Sequence, residues 1–263
     1  MPKKIKPFTF IAGPCVLEDK SSALKIAKRL KSIAESLELP FIFKASYDKA
    51  NRTSINSYRG PGLRVGLEIL YEIKSKLNIA VTSDIHLVEE AEPASKVLDI
   101  IQVPAFLCRQ TDLISAAAAT GRTINVKKGQ FLSPLEIQPI ADKLKEAGCK
   151  KYYITERGSS FGYQNLVVDM RSLIWMREQG HPVIFDATHS VQRPGALGQA
   201  TGGDGAMAPH LARAALATGV DGLFMETHPK PSQSPSDGAN MIPLALLPKI
   251  LRKLKIIHEA SQS

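Results

Sequence analysis

Residues 40–54 read PFIFKASYDKANRTS, an apolar run that ends abruptly in two lysines, an arginine, an asparagine and hydroxyls. The run Pro40–Phe43 has the β-branched and aromatic character of a buried strand. The polar residues after it suit an anion, because cationic side chains supply charge while amide and hydroxyl groups supply directional hydrogen bonds. Taken alone, such a loop is as often a solvated turn. Its weight comes from repetition, since seven other apolar runs end the same way.

Those runs are Phe8–Val16, Ile79–Ile85, Ile100–Ala105, Thr123–Lys128, Tyr152–Glu156, Pro182–Thr188 and Gly222–Glu226, with Pro40–Tyr47 as the second in order. Helical patterning lies between them at Ser21–Ser36, Leu63–Lys76, His86–Lys96, Asp112–Thr120, Pro134–Ala147, Val167–Gln179, Met207–Thr218 and Pro243–Glu259. In the first of these, Ala, Leu and Ile recur every three or four residues with Lys and Arg opposite. Eight strand–helix units predict an α/β fold, a (β/α)8 TIM barrel, over residues 1–263 as one domain. An open doubly wound sheet is the competing arrangement, but no phosphate-binding glycine fingerprint follows the first strand.

The chain has 263 residues, 44% hydrophobic and 22% charged, enough for a full core. No run approaches the roughly 18 apolar residues of a membrane span. The basic start, Met1–Pro7, leads into a strand and not into an apolar leader segment. Three cysteines argue against a disulfide framework. A cytoplasmic protein with no membrane partner is expected. The net charge of +9 calls for an anionic partner. Basic residues are scattered and aromatics make up only 6%, so nucleic acid fits poorly. Phosphorylated metabolites fit better, each monoester bringing about −1.5 to −2 charges.

In such barrels the chemistry sits at the C-terminal ends of the strands. Those ends read Gly13–Cys15, Lys44, Ser83–His86, Gln102–Ala105, Lys127–Gln130, Glu156–Arg157, Asp186–His189 and Glu226–His228. Closure of the barrel makes the first and eighth strands neighbours. Cys15, His189, Glu226 and Asp237 would then converge, a mixed S/N/O set suited to a divalent metal ion such as Fe2+, Zn2+ or Mn2+. Lys44, Lys49, Arg52, Lys127 and Arg157 form a cationic set that repels itself unless anions bind there. Lys128, next to Lys127, is expected to face solvent. Cys108 and Cys149 are expected to be structural, and His181, His210 and His258 receive no role. Two glycine-rich loops, residues 190–205 and 230–240, have the composition of lids.

The stretches IAGPC (11–15), KASYDKANRTS (44–54), SYRGPG (57–62), TSDIH (82–86), QVPAFLCRQTDL (102–113), NVKKGQF (125–131), TERG (155–158), FDATHSVQRPG (185–195) and METHP (225–229) resemble the 3-deoxy-D-manno-octulosonate 8-phosphate synthases. These are grouped with the 3-deoxy-heptulosonate synthases in one barrel superfamily. The Lys-Ala-Asn-Arg loop favours the octulosonate branch, and no stretch reads as an added regulatory domain. The resemblance implies condensation of phosphoenolpyruvate with arabinose 5-phosphate and water, giving the eight-carbon keto acid phosphate of lipopolysaccharide synthesis and inorganic phosphate. The heptulosonate reaction on erythrose 4-phosphate is the alternative.

By the same resemblance, Lys44, Lys49, Lys127, Gln130, Arg157 and His189 would hold phosphoenolpyruvate. Asn51, Arg52, Thr53, Ser54, Asp84 and Gln102 would hold the sugar phosphate. The family divides by Cys or Asn at the first-strand position, and Cys15 implies the metal-dependent class. Asp237, in a segment that departs from common versions, would join the metal set and the proton chemistry. Thr53 stands where many members have Ser, with the hydroxyl kept. A homotetramer is implied, with the arginine of the KANR loop reaching a neighbouring site.

Overall fold

A computed structural model of the protein describes residues 5–52, 54–195 and 202–262. Eight parallel strands form a closed barrel: β1 (Thr9–Gly13), β2 (Phe41–Lys44), β3 (Ala80–Asp84), β4 (Ile100–Val103), β5 (Thr123–Lys127), β6 (Tyr152–Glu156), β7 (Val183–Asp186) and β8 (Gly222–His228). Neighbours pair in sequence order, and β1 returns to β8 with Thr9 opposite Gly222 and Gly13 opposite Glu226. Outside lie α1 (Lys20–Ser36), α2 (Leu63–Leu77), α3 (Ala91–Ser95), α4 (Thr111–Ala119), α5 (Gln138–Glu146), α6 (Met170–Glu178), α7 (Ala208–Ala217) and α8 (Leu247–Gln262). The expected (β/α)8 TIM barrel is the fold. No helix among the described residues is long and apolar enough to cross a membrane.

The apolar faces explain the two layers. In α1, Ala23, Ile26, Ala27, Leu30, Ile33 and Ala34 are buried, the helical spacing that presses one face on the barrel. Asp19 caps this helix by accepting from the Ser22 amide at 2.9 Å. Inside the barrel, Ile11, Ile42, Ile100, Ile184 and Phe224 form a separate buried cluster. Two residues further along each of four of these strands stand Lys44, Gln102, Asp186 and Glu226. Side chains alternate along a strand, so each strand sends one apolar residue into the barrel floor and one polar residue into its mouth.

Element ends differ from the sequence expectation where side chains intercept the backbone. Periodicity places the third helix over His86–Lys96. Glu90 instead accepts from the His86 amide at 2.8 Å, and α3 begins only at Ala91 after a 3-10 turn at Val88–Glu90. The sixth starts at Met170 and not Val167, because Asp169 caps it and Leu166–Val167 pairs antiparallel with Ser159–Ser160. The last starts at Leu247, since Ile242–Pro243 extends the sheet beside Thr227–His228.

Lys128 corrects the expectation that it faces solvent. It is 1% exposed, its ammonium lying 3.4 Å from the buried Glu156 carboxylate and donating to Leu132 O at 2.9 Å. Odd-even alternation sends it outward from the strand, but outward here means into the layer beneath the helices. Cys108 and Cys149 are buried as expected. His181 pairs with the Tyr152 hydroxyl and His258 with Lys6 O.

Candidate active site

At the C-terminal end of the barrel a cleft of about 620 Å³ opens, lined among others by Lys44, Lys49, Asn51, Arg52, Asp84, Gln102, Lys127, Gln130, Arg157, His189 and Asp237. The floor is set by a close approach of β1 to β2. A Cβ on Gly13 would fall 1.9 Å from Lys44 O, so only glycine lets the strands meet there. Lys44 then reaches inward, donating to Ser46 Oγ at 2.9 Å, to Cys15 O at 3.3 Å and to Glu226 Oε1 at 3.2 Å.

A continuous belt of hydrogen bonds crosses the neighbouring strands. Thr155 donates to Asn125 Oδ1 at 2.6 Å, Asn125 to Gln102 Oε1 at 3.1 Å, and Gln102 to Asp84 Oδ1 at 3.3 Å. Ser46 closes the run on Asp84 at 2.9 Å. Burial pushes the Asp84 carboxyl up, but Lys44 and Lys49 outweigh it and hold it well below the usual range.

Unlike the self-repelling set expected from the sequence, most of the cations do not face one another unscreened. Lys44 and Lys49 both meet Glu226, and Lys127 is bonded to the fully buried Asp186. Lys127 Nζ also sits 3.3 Å from the centre of the Phe224 ring. Arg157 is different. Buried at 7% exposure, it bonds the side-chain carbonyl of Gln192 and lies 3.4 Å from His189 O. No carboxylate of the described residues stands within ion-pair distance, 4.0 Å, of it. Burial lowers its pKa despite Asp186 and Asp237 nearby. On the rim, Arg52 Nη2 and Gln130 Oε1 are buried without a partner. This donor and this acceptor have no partner among the described residues.

Cys15, Glu226 and Asp237 offer donor atoms that all lie within 4.8 Å of one another. The Cys15 thiol donates to Asp237 Oδ2 at 3.0 Å and lies 2.9 Å from Ser236 Oγ. Burial, then Glu226, pushes the thiol pKa well up in the absence of a cation. Glu226 Oε2 is buried with no hydrogen-bond partner. His189 stands just outside this triangle, with Nε2 3.6 Å from Glu226 Oε1. A thiolate, two carboxylates and an imidazole, one carboxylate oxygen unpartnered, fit a divalent transition ion. Asp237 sits at φ +51°, a left-handed conformation that Asp tolerates better than most, at the start of the turn Gly238–Asn240.

Thr53 lies outside the described residues, and Ser54 does not line the cleft; its hydroxyl accepts from the Asn56 amide at 3.3 Å. The loop expected at 190–205 is described only at its ends, which pair as Gln192–Arg193 with Gly202–Gly203. A Cβ on Gly203 would fall 1.6 Å from Asn240 Oδ1, so this loop and the one after β8 are closely apposed there.

Sequence reading missed two functional positions. Asp186 accepts from His189 Nδ1 at 2.7 Å, from the His189 and Thr188 amides, and from Lys127. The alternation Ile184/Asp186 was the signal for it. Gln192 bridges Arg157 to Asp237 Oδ1, the latter at 2.7 Å. Nothing in a Gly-rich loop singles out that glutamine.

A closed parallel barrel whose mouth gathers buried lysines, an unpaired arginine and a thiol–carboxylate cluster is the architecture of an enzyme acting on small anionic molecules. Residues 4–262 match the family described as DAHP synthetase I, and the chain belongs to that family. It is 56% identical to the 2-dehydro-3-deoxyphosphooctonate aldolase of Pelobacter propionicus, over 96% of this chain and 93% of that protein. It is 55% identical, over the same shares, to the protein so named in Geotalea daltonii. Desulfatibacillum aliphaticivorans has another, 52% identical over 97% and 93% of the two chains.

Proposed function

We propose that the protein condenses phosphoenolpyruvate with D-arabinose 5-phosphate and water, giving 3-deoxy-D-manno-octulosonate 8-phosphate and inorganic phosphate. The observation that carries this reading is Arg157, a buried guanidinium with no carboxylate of its own, beside Lys127 in a cleft that also holds the unpartnered Arg52 Nη2. The cleft thus offers two arginines to anionic groups, and the relatives are named for the phosphooctonate.

In this reading Lys44, Lys49, Lys127, Gln130, Arg157 and His189 hold phosphoenolpyruvate, while Asn51 and Arg52, with Thr53, take the distal phosphate. Asp84 and Gln102 meet the sugar hydroxyls. Holding both substrates makes the step effectively unimolecular. Carbon 3 of phosphoenolpyruvate bonds to the aldehyde carbon, water adds its oxygen at carbon 2, and the C–O bond to phosphate breaks. Of the two protons of water, one ends on the former aldehyde oxygen and the other leaves with phosphate as carbon 2 becomes the ketone. Asp237, which lines the cleft, or Glu226 would carry the proton from water to the aldehyde oxygen. Positive charge fixed beforehand by the lysines and Arg157 stabilises the charge that develops. Cys15, Glu226 and Asp237, with His189 beside them, would hold a divalent ion, Fe2+, Zn2+ or Mn2+, which would supply Lewis-acid polarisation.

We also place the enzyme in the cytoplasm as a homotetramer. Phe131, Phe161 and Tyr163 are exposed on the loops after β5 and β6, large side chains that contact between copies of the chain would cover.

Phosphate release from phosphoenolpyruvate tests the reaction. Arabinose 5-phosphate should support it at least ~100-fold better than erythrose 4-phosphate in kcat/KM, the scale on which a sugar site separates homologues. Preference for the four-carbon sugar would make the enzyme a heptulosonate synthase, and release with neither would end the reading. Borohydride added with substrate should trap no adduct on Lys44 or Lys127, which excludes a Schiff-base aldolase.

The pH dependence is set by Lys127. Burial holds its ammonium down at about 8, although Asp186 pulls the other way. Only the charged form attracts the anion, so binding is full well below pH 8 and is lost as pH rises through it. KM for phosphoenolpyruvate should rise about tenfold between pH 7 and 9, with KM for the sugar steady. A flat profile would remove Lys127 from the anion site.

A further inference from the structure

Lys128 and Glu156 are a buried ion pair that takes no part in the chemistry above. They are the immediate chain neighbours of Lys127 and Arg157, pointing away from the cleft where those point into it. All their partners lie on the two loops that carry the anion site, apart from one helix hydroxyl. Lys128 Nζ reaches Glu156 Oε2 at 3.4 Å, Ser159 Oγ at 3.2 Å and Leu132 O at 2.9 Å. Glu156 Oε1 accepts from the Gly158 amide at 2.6 Å, and Oε2 lies 3.5 Å from Ser172 Oγ on α6. Gly158 adopts φ +88°, and the carboxylate fixes this left-handed residue just after Arg157 through its amide. The Ser160 amide donates to Gln130 O at 2.9 Å, joining the same two loops at a second point.

An ion pair buried this deeply contributes little net stability, since desolvation offsets the attraction. Its effect is geometric. We propose that Lys128 and Glu156 are positioning residues: their pair locks loop 129–132 to loop 157–160 and so sets the spacing between Gln130 and Arg157, across which the phosphoenolpyruvate anion is held. This rests on the reading that those two residues bind phosphoenolpyruvate.

Lys128→Met, Glu156→Gln and the double variant test it by calorimetric binding of phosphoenolpyruvate, KM for each substrate and thermal unfolding. Each single variant should weaken phosphoenolpyruvate on the order of tenfold to 10²-fold, the scale of a small misplacement, with KM for arabinose 5-phosphate within about twofold. In the double variant no lone buried charge remains, so unfolding temperature should return toward wild type while phosphoenolpyruvate binding stays weak. A merely structural pair would give recovery of both, or equal loss for both substrates, and either result overturns the proposal. So does unchanged phosphoenolpyruvate binding. If the wild type binds phosphoenolpyruvate but releases no phosphate with the sugar, the functional reading falls while the binding data still judge the pair. A wild type that binds no phosphoenolpyruvate ends both.

Discussion

Asp186→Asn should lower kcat/KM for the proposed condensation by about 10³- to 10⁴-fold, the range seen when an orienting carboxylate beside a catalytic histidine becomes an amide. Asp186 makes four contacts, and all serve the site. It accepts from His189 Nδ1 at 2.7 Å, which directs Nε2 toward Glu226. It accepts from the Thr188 and His189 amides at 3.1 and 2.9 Å, which shapes the turn after β7. It also neutralises Lys127. Burial raises its pKa, but His189 and Lys127 overcome this and keep it ionised. An amide presents hydrogens to at least one of these donors and leaves Lys127 without its counter-charge. Steady-state kinetics on a variant shown by circular dichroism to be folded would read the effect. Activity within tenfold of wild type would mean that His189 does not need orienting.

Stripping divalent metal with a chelator should reduce turnover by at least ~100-fold, as expected where an ion supplies several kcal/mol of polarisation. Added Mn2+, Fe2+ or Zn2+ should restore it. Metal content offers a readout apart from activity, with about one ion per chain in the wild type and almost none in Cys15→Ser. Cobalt(II) should give a thiolate-to-metal charge-transfer band that the same variant lacks. Because burial and Glu226 raise the Cys15 pKa, the thiol must lose its proton as the ion enters. Affinity should therefore weaken as pH falls. Full turnover after complete metal removal would place the chain outside the metal-dependent class.

The barrel was legible because buried parallel strands are near-continuous apolar runs, and these end in polar groups where the strand leaves the floor. Cys15, Glu226 and Asp237 are brought together across more than two hundred residues by pairing of β1 with β8, which the closed fold implied. Lys128 was misread because its burial depends on the packing of Leu132 and Ser159 around it, and no local pattern carries that. Gln192 was invisible for a similar reason. Its partners, Arg157 and Asp237, lie on two other loops. Helix starts were displaced by caps such as Asp169 and Glu90, single side chains whose effect outweighs periodicity.

The belt from Thr155 to Asp84 has a direction. Each member gives a hydrogen to the next, and the last, which Ser46 also meets, only accepts. A sugar lying against Gln102 and Asp84 therefore meets a surface whose polarity was decided two strands away. If the proposed sugar site is right, a hydroxyl that offers its hydrogen to Asp84 would be favoured there over one that turns a lone pair to it.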